Sequence, residues 1–409
     1  VNNNNLKVLK IFIKNASLFE ENFEFDLLTK INTVQGKNDD GINNIINRVY
    51  VHDVLAITGI NAAGKTITLK TISSILNFYL RLENLNEIDE NMTSCFLKPL
   101  LCFGMYICDS NYIYKIETTI DKETGNFQDS WIIKEETLSR KPINAKVNRE
   151  NIYDDNYSTE VIRSGLKPEQ KEYLSKDISI FKSIVDKNAI SLVMDSFYLT
   201  NHNFFSTSAF IKGENDDDLT LSNNILKYLD PSIEYIKRHI AENNYTIKFI
   251  NDPKLHEVKS IFNLENYLSS GTIKGIALMN YIISVIKHTG YFFIDEIEIH
   301  LNKAIVQSII RLFSDSSTNP HHATLVFSTH YSELLDCLDR NDSIIITRKT
   351  SDGKISVSNL AEMLKRNDIK KSDVYLSDFL QLGTAPSYNA YVDFINEVKK
   401  ISSEGATSK

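Results

Sequence analysis

Val54-Leu55-Ala56-Ile57-Thr58-Gly59-Ile60-Asn61-Ala62-Ala63-Gly64-Lys65-Thr66 decides how this chain is read. It is an apolar run of β type, a glycine turn, and a helix start that continues through Thr68-Leu69-Lys70-Thr71-Ile72. Gly59 to Thr66 satisfies G-x-x-x-x-G-K-[ST], and the strand before it and helix after it are the setting that a phosphate-binding loop requires. Gly59 and Gly64 permit backbone angles and close approach that a Cβ forbids, so successive N–H groups can face phosphate oxygens. The candidate contacts are Gly59, Asn61, Ala62, Ala63, Gly64, Lys65, Thr66 and, one position beyond the motif's neighbour, Thr68. Lys65 is expected to place its ammonium on the β and γ phosphates and Thr66 its hydroxyl on Mg²⁺, with the positive end of the helix aimed at the nucleotide.

A second stretch matches this chemistry. Tyr291-Phe292-Phe293-Ile294 runs into Asp295-Glu296. A continuous apolar run is the pattern of a fully buried parallel strand, and ligands bind off the carboxyl ends of such strands. Asp295 then suits a Mg²⁺ carboxylate acting through water, and Glu296 suits a general base on an attacking water. Ala323 to His330 repeats the design, with a buried strand ending in Ser328-Thr329-His330. An imidazole there can hydrogen-bond a phosphate oxygen whose charge grows during transfer.

At 409 residues the chain can hold two or three domains and bury its own core. Its formal charge is −8, and no long basic run marks a dedicated nucleic-acid binder. Cys95, Cys102, Cys108 and Cys337 are too dispersed for a zinc site, and Cys102 and Cys108 read as buried thiols on one strand face. No window approaches the roughly 18 apolar residues of a membrane span, and the polar start lacks a signal-peptide pattern. The expectation is a cytoplasmic protein with no membrane contact.

Taken in order, Leu6 to Ile13 and Asn22 to Leu27 read as paired strands, and Lys37 to Asn47 as a surface loop. Phe12 and Phe19 are each core or adenine-stacking candidates. A helix is expected over Lys65 to about Leu82. Leu100 to Cys108, Tyr112 to Ile120 and Asp129 to Lys134 alternate as an antiparallel meander, a β-rich arm beside the nucleotide core. From about Arg140 to Asn263 the sequence reads as an inserted, mainly helical lobe, with helices over Lys167 to Lys187 and Ser222 to Asn243 around the aromatic run Phe197 to Phe205. Four units follow: residues 1–139, the first half of the core with its arm; 140–263, the lobe; 264–350, the second half; and 351–409, a tail. The expected class is α/β, a mixed sheet flanked by helices.

Taken together, Gly59 to Thr66, Leu268-Ser269-Ser270-Gly271-Thr272, Tyr291 to Glu296 and His330 resemble the ATP-binding-cassette (ABC-type) P-loop ATPases of the branch that includes the SMC and RecF proteins. Within that branch it more closely resembles stand-alone bacterial AAA family ATPases of anti-phage and abortive-infection systems. Asp295-Glu296-Ile297-Glu298, Ser328-Thr329-His330, Arg340-Asn341-Asp342, Tyr375-Leu376, Gly383 and Pro386 carry that similarity, which spans both core halves and the tail but not the insertion. The resemblance implies a homodimer with ATP sandwiched between copies. Ser269 and Gly271, at a helix start, would bind the γ-phosphate held by the partner's loop. The chain departs from the family at Asn302-Lys303, where relatives usually carry His-Pro, and Phe96 to Pro99 contains no glutamine.

Function follows as an expectation: an ATP- and Mg²⁺-using ATPase that switches a separately encoded effector, a toxin or nuclease, in response to a phage trigger. A repair or structural-maintenance ATPase acting directly on DNA is the alternative. A nuclease within the chain is a third reading, and the residues after His330 show no clustered carboxylates to hold two metals.

Overall fold

The computed structural model describes residues 6–20, 22–31, 40–81, 84–86, 98–124, 129–183, 210–212, 218–242, 244–259, 261–288, 290–299, 301–366, 368–377 and 388–404. The aromatic run at 197–205, Cys95, Gly383 and Pro386 lie outside them.

In chain order the strands of the first half are β1 (Lys7–Lys14), β2 (Asn22–Asp26), β3 (Ile42–Ile46), β4 (Val49–His52), β5 (Val54–Thr58), β6 (Cys102–Cys108), β7 (Tyr112–Glu123), β8 (Ser130–Pro142) and β9 (Ser158–Ile162). Helix α1 (Lys65–Leu76) follows β5, and its last turn widens into a π-helix at Asn77–Arg81. The middle of the chain holds α2 (Pro168–Tyr173), β10 (Phe210–Lys212), β11 (Asp218–Leu221), α3 (Asn223–Leu229), β12 (Ile233–His239), β13 (Asn244–Phe249) and β14 (Leu255–Val258). The remainder is α4 (Ser270–His288), β15 (Tyr291–Ile294), α5 (Lys303–Ser314), β16 (Thr324–Thr329), α6 (Ser332–Leu335), β17 (Ile344–Lys349), β18 (Ile355–Asn359), α7 (Leu360–Met363), α8 (Lys371–Leu376) and α9 (Tyr388–Glu404).

The central sheet has the order β15-β16-β5-β17-β18, parallel except for the edge strand β18. Successive residues of a strand face opposite sides, and here both sides are buried. Leu55, Ile57, Tyr291, Phe293, Val326 and Ile345 join one core with Leu69 and Ile72 of α1 and the antiparallel arm. Val54, Ala56, Phe292, Ile294, Leu325 and Phe327 join a second core with Ile282 and Val285 of α4 and Ile309, Ile310 and Phe313 of α5. This two-sided burial explains the unbroken apolar runs that lead into the motifs.

The arm is a six-stranded antiparallel sheet, β2-β1-β6-β7-β8-β9, so the expected lead-in pair and meander form one surface. Phe12 and Phe19 are both core: Phe19 is fully buried against Phe23, and Phe12 packs on Tyr106. Cys102 and Cys108 are buried, as expected, and burial pushes their thiols up to about 11 and about 12.

Two expectations need correction. The segment read as a loop to Asn47 carries β3, which pairs with β4. The inserted lobe is not mainly helical among the described residues. β8 runs to Pro142, β9 follows, and β10 to β14 form a five-stranded antiparallel sheet; Ser222 to Asn243 contributes one short helix, α3, and then β12. The misreading has a physical cause. Ile233 and Ile236 are both fully buried, a spacing of three that suggests a helix, but the register against β13 shifts between Ile233 and Tyr235. The bulge moves the second isoleucine onto the core face. Ile236, Tyr245 and Ile247 then pack on Ile273, Ile276 and Ala277 of α4, and a Cβ on Gly275 would lie 2.7 Å from Leu229 Cδ2 of α3.

Arg340 and Asp342 tie the two halves together. The Asp342 carboxylate, 1% exposed, accepts from Lys30 N and Ile31 N, both at 2.7 Å, and from Arg340 Nε and an Arg340 terminal nitrogen, both at 2.9 Å. Burial works to raise its pKa, and the net shift is downward because of the cationic and hydrogen-bonding groups around it. His52 Nε2 stands 3.7 Å from Asp342 Oδ1. Burial pushes the His52 imidazole down to about 4, so the ring is neutral at pH 7 and the arginine is the cation of this cluster.

A pH dependence follows from His52. An unfolded histidine titrates near 6.5, so between about 6.5 and about 4 the unfolded chain binds a proton that the folded chain refuses. Stability is expected to fall as pH drops through that window, by up to roughly 3 kcal/mol from this group. Urea unfolding of the native chain and of His52→Gln between pH 7.5 and 4.5 checks this. The native curve should lose more stability across the window, and parallel curves would contradict it.

Candidate active site

The site lies where β5, β15 and β16 end together. Thr58 is registered against Thr329, and Ile294 against Phe327, so the residues that follow each strand emerge at one edge. After β5 the chain makes a tight loop in which Ala62 (φ 61°) and Gly64 (φ 97°) adopt left-handed backbone. Both loop glycines are required sterically: a Cβ on Gly59 would lie 2.5 Å from Thr347 O, and one on Gly64 2.5 Å from Ile355 Cδ1.

Lys65 is 5% exposed, and its ammonium donates to Gly59 O at 2.9 Å and Ile60 O at 3.0 Å. The side chain is therefore folded back across its own loop rather than facing solvent. Burial lowers its pKa, while the charges of Glu296, Asp295 and Glu298 work to raise it. Ala63 is buried, Asn61 is exposed, and Gly64 and Thr66 are half-buried. Thr68 is fully buried in α1, with its hydroxyl unpartnered among the described residues, so it is a packing position rather than a loop surface.

Thr66 and Asp295 are brought together, with Thr66 Oγ1 donating to Asp295 Oδ2 at 2.7 Å. The other Asp295 oxygen accepts from Ser328 Oγ at 2.5 Å, and Ser328 Oγ in turn accepts from Glu296 N at 2.7 Å. One hydroxyl thus fixes both acids of the pair. Glu296 has φ 48°, a left-handed conformation that costs a residue with a Cβ about 1–3 kcal/mol. Its Oε1 meets His330 Nε2 at 3.3 Å, and both side chains remain about one-third exposed. His330 N donates to the buried Glu298 at 2.6 Å.

Ser269 and Gly271 lie at the start of α4. Ser269 is exposed and caps α4: its Oγ accepts from Thr272 N at 3.0 Å and contacts Thr272 Oγ1 at 2.7 Å. No hydrogen bond of Ser269 to the phosphate loop occurs among the described residues. Asn302 accepts from Ala304 N as the N-cap of α5, which gives the Asn302-Lys303 departure a structural role.

Three groups escaped the reading of the residues one motif at a time. Ser328 lay in a recognised run without a role, and only the strand register puts it against Asp295 and Glu296. Glu298 was one letter of a motif. Tyr375, on α8, is buried close enough to Thr58 and Gly59 for both to work against burial in setting its pKa, although 316 positions separate it from Gly59.

The arrangement offers groups suited to binding phosphate and to proton transfer beside it. Backbone N–H groups and an ammonium can hold phosphate, and a carboxylate beside an imidazole can take and hold a proton. The Thr66 and Asp295 oxygens are the hard donors that Mg²⁺ prefers, so they fit that ion.

No protein-family model matches the chain, and no curated protein matches it. Among solved structures it is similar to an SMC head bound to the C-winged helix domain of ScpA, with TM-score 0.47 and 12% identity over 88% of this chain and 100% of that one. It is also similar to the SMC head domain from Thermotoga maritima, with TM-score 0.35 and 11% identity over 86% and 98%. Likeness at this level does not bear on what the chain does.

The strained φ at Glu296 generates a stability test. Glu296→Gly removes the Cβ that the left-handed backbone disfavours, and the relief should offset the roughly 1 kcal/mol entropic cost of glycine. Glu296→Gly is expected to unfold in urea no earlier than the native chain, while β-branched Glu296→Val should lose about 1–3 kcal/mol. A Gly variant clearly less stable than the native chain would show that the conformation carries no strain.

Proposed function

We propose that this chain is a Mg²⁺-dependent ATPase of the ABC type that works as a dimer. The observation that carries the proposal is the convergence of Lys65, Thr66, Asp295, Glu296 and His330 at the ends of three parallel strands. In this reading Gly59, Asn61, Ala62, Ala63, Gly64 and Lys65 hold the phosphates, with Thr68 behind them. Thr66 and Asp295 would hold Mg²⁺, which neutralises phosphate charge and fixes geometry when bound.

The chain's own residues divide the remaining work. Lys65 leaves the two carbonyls it now bonds and turns its ammonium to phosphate oxygens. Glu296 accepts a proton from the attacking water, and the backbone held by Ser328 sets the direction of its carboxylate. His330 supports Glu296 and faces the open side of the site. Exposed Ser269 and neighbouring Gly271, at the start of α4, supply a phosphate-binding helix end that a second copy can use. Direct action on DNA is the alternative, and a salt-dependent DNA affinity would favour it.

We further propose, on the sequence resemblance, that hydrolysis controls a separately encoded toxin or nuclease in anti-phage defence. A ligand shifts a conformational equilibrium only through differential affinity for the two states, so the effector should bind the ATP-bound and ATP-free forms unequally. The lobe at 140–263 joins the two core halves and is the proposed coupling element.

Turnover tests the core of this. Glu296→Gln should bind ATP and hydrolyse it at least about 100-fold more slowly, with a longer-lived ATP-bound dimer by light scattering. Lys65→Ala should lose binding or turnover while staying folded; near-native hydrolysis by it would remove the loop assignment. If each site draws Lys65 from one copy and Ser269 from the other, mixing Lys65→Ala with Ser269→Arg restores hydrolysis. Activity of the mixture no greater than the sum of the two variants would place the whole site within one chain. Robust DNA cleavage by the purified chain, lost on mutation of its own carboxylates, would replace the effector model with a nuclease.

A further inference from the structure

We propose that Glu298 is a positioning residue of the hydrolysis site: by accepting the His330 amide hydrogen it sets where the imidazole stands opposite Glu296. This rests on the ATPase reading above. β16 ends at Thr329, so the His330 N–H lies beyond the strand ladder and needs another acceptor. Glu298 Oε1 provides it at 2.6 Å.

The bond is the third of three rungs between the turn after β15 and the end of β16. Glu296 N donates to Ser328 Oγ at 2.7 Å, Ile297 N to Ser328 O at 3.1 Å, and His330 N to Glu298. The first two fix the backbone of the proposed base, and the third fixes the backbone of its imidazole partner. Together they hold Glu296 Oε1 and His330 Nε2 at 3.3 Å.

Glu298 is a poor choice for stability alone. It is 8% exposed, a burial that carboxylates rarely show unless paired, and its Oε2 has no hydrogen-bond partner among the described residues. The carboxylate does act on one neighbour at a distance, since its charge helps keep Lys65 protonated against burial. Because positioning acts through the bond from His330 N to Glu298 Oε1, it predicts a separation: the hydrogen bond governs turnover, and the charge has the smaller effect.

Glu298→Ala, Glu298→Gln and Glu298→Asp should be compared for ATP affinity, single-turnover rate and the His330 ring resonance in the nucleotide-free chain. Glu298→Ala should slow turnover at least about 30-fold with ATP affinity changed less than about threefold, and shift the His330 resonance. Glu298→Gln, which keeps the acceptor, should recover turnover to within about fivefold of native. If Ala does not fold, Asp decides, because its shorter arm withdraws the acceptor: slowed turnover with retained affinity supports the role. Native turnover in Ala or Asp overturns it, as does a Gln variant as slow as Ala, or a loss of affinity equal to the loss of rate. A native chain that neither binds nor hydrolyses ATP counts against the ATPase reading itself; the ring resonance, shifted or unshifted by Glu298→Ala, then decides only whether Glu298 sets the position of His330.

Discussion

The parallel register that sets Thr58 beside Thr329 and Ile294 beside Phe327 is the constraint on which the site depends. A one-residue slip would turn every side chain of a strand to the opposite face. Here that would exchange two complete cores, Leu55 and Ile57 for Val54 and Ala56, and Phe293 for Phe292 and Ile294. The register is thus enforced by apolar packing on both faces, far more strongly than polar contacts at the strand ends could enforce it. Candidate site residues separated by more than two hundred positions are placed by a core that none of them belongs to.

Electrostatics at that edge oppose the packing. Asp295, Glu296 and Glu298 sit within reach of Lys65, whose ammonium is desolvated and bonded only to carbonyls of its own loop among the described residues. Such an arrangement concentrates like charge where the backbone is also strained, at Glu296. Local strain and clustered charge of this kind persist where the surrounding structure determines them. In this reading phosphate and a divalent cation relieve the charge: one gives Lys65 an anionic partner and the other gives the carboxylates a counter-charge.

Much of this was legible in the sequence, for physical reasons. The loop motif fixes its own backbone through Gly59 and Gly64, and buried parallel strands announce themselves as unbroken apolar runs, so the sheet, α1 and the acids at its edge could be read directly. Period-two alternation revealed the meander in the arm. What failed was local pattern without a fixed frame. A β-bulge at Ile233–Tyr235 gave the lobe a false helical spacing, and Asn43 and Asn44, in an asparagine- and glycine-rich stretch, hid β3. Ser328, Glu298 and Tyr375 could not be assigned from sequence because their partners are set by strand register and by packing of the tail, not by neighbours along the chain.

The central claim is that one edge of the parallel sheet holds Mg²⁺ and ATP together. Crystals grown with Mg²⁺ and a non-hydrolysable ATP analogue test it most directly. The account predicts density for the triphosphate across Gly59 to Thr66, with Lys65 turned from its loop carbonyls to the phosphates and the metal beside Thr66 and Asp295. Nucleotide bound elsewhere, or a filled loop with Lys65 still on Gly59 O and Ile60 O, would contradict it.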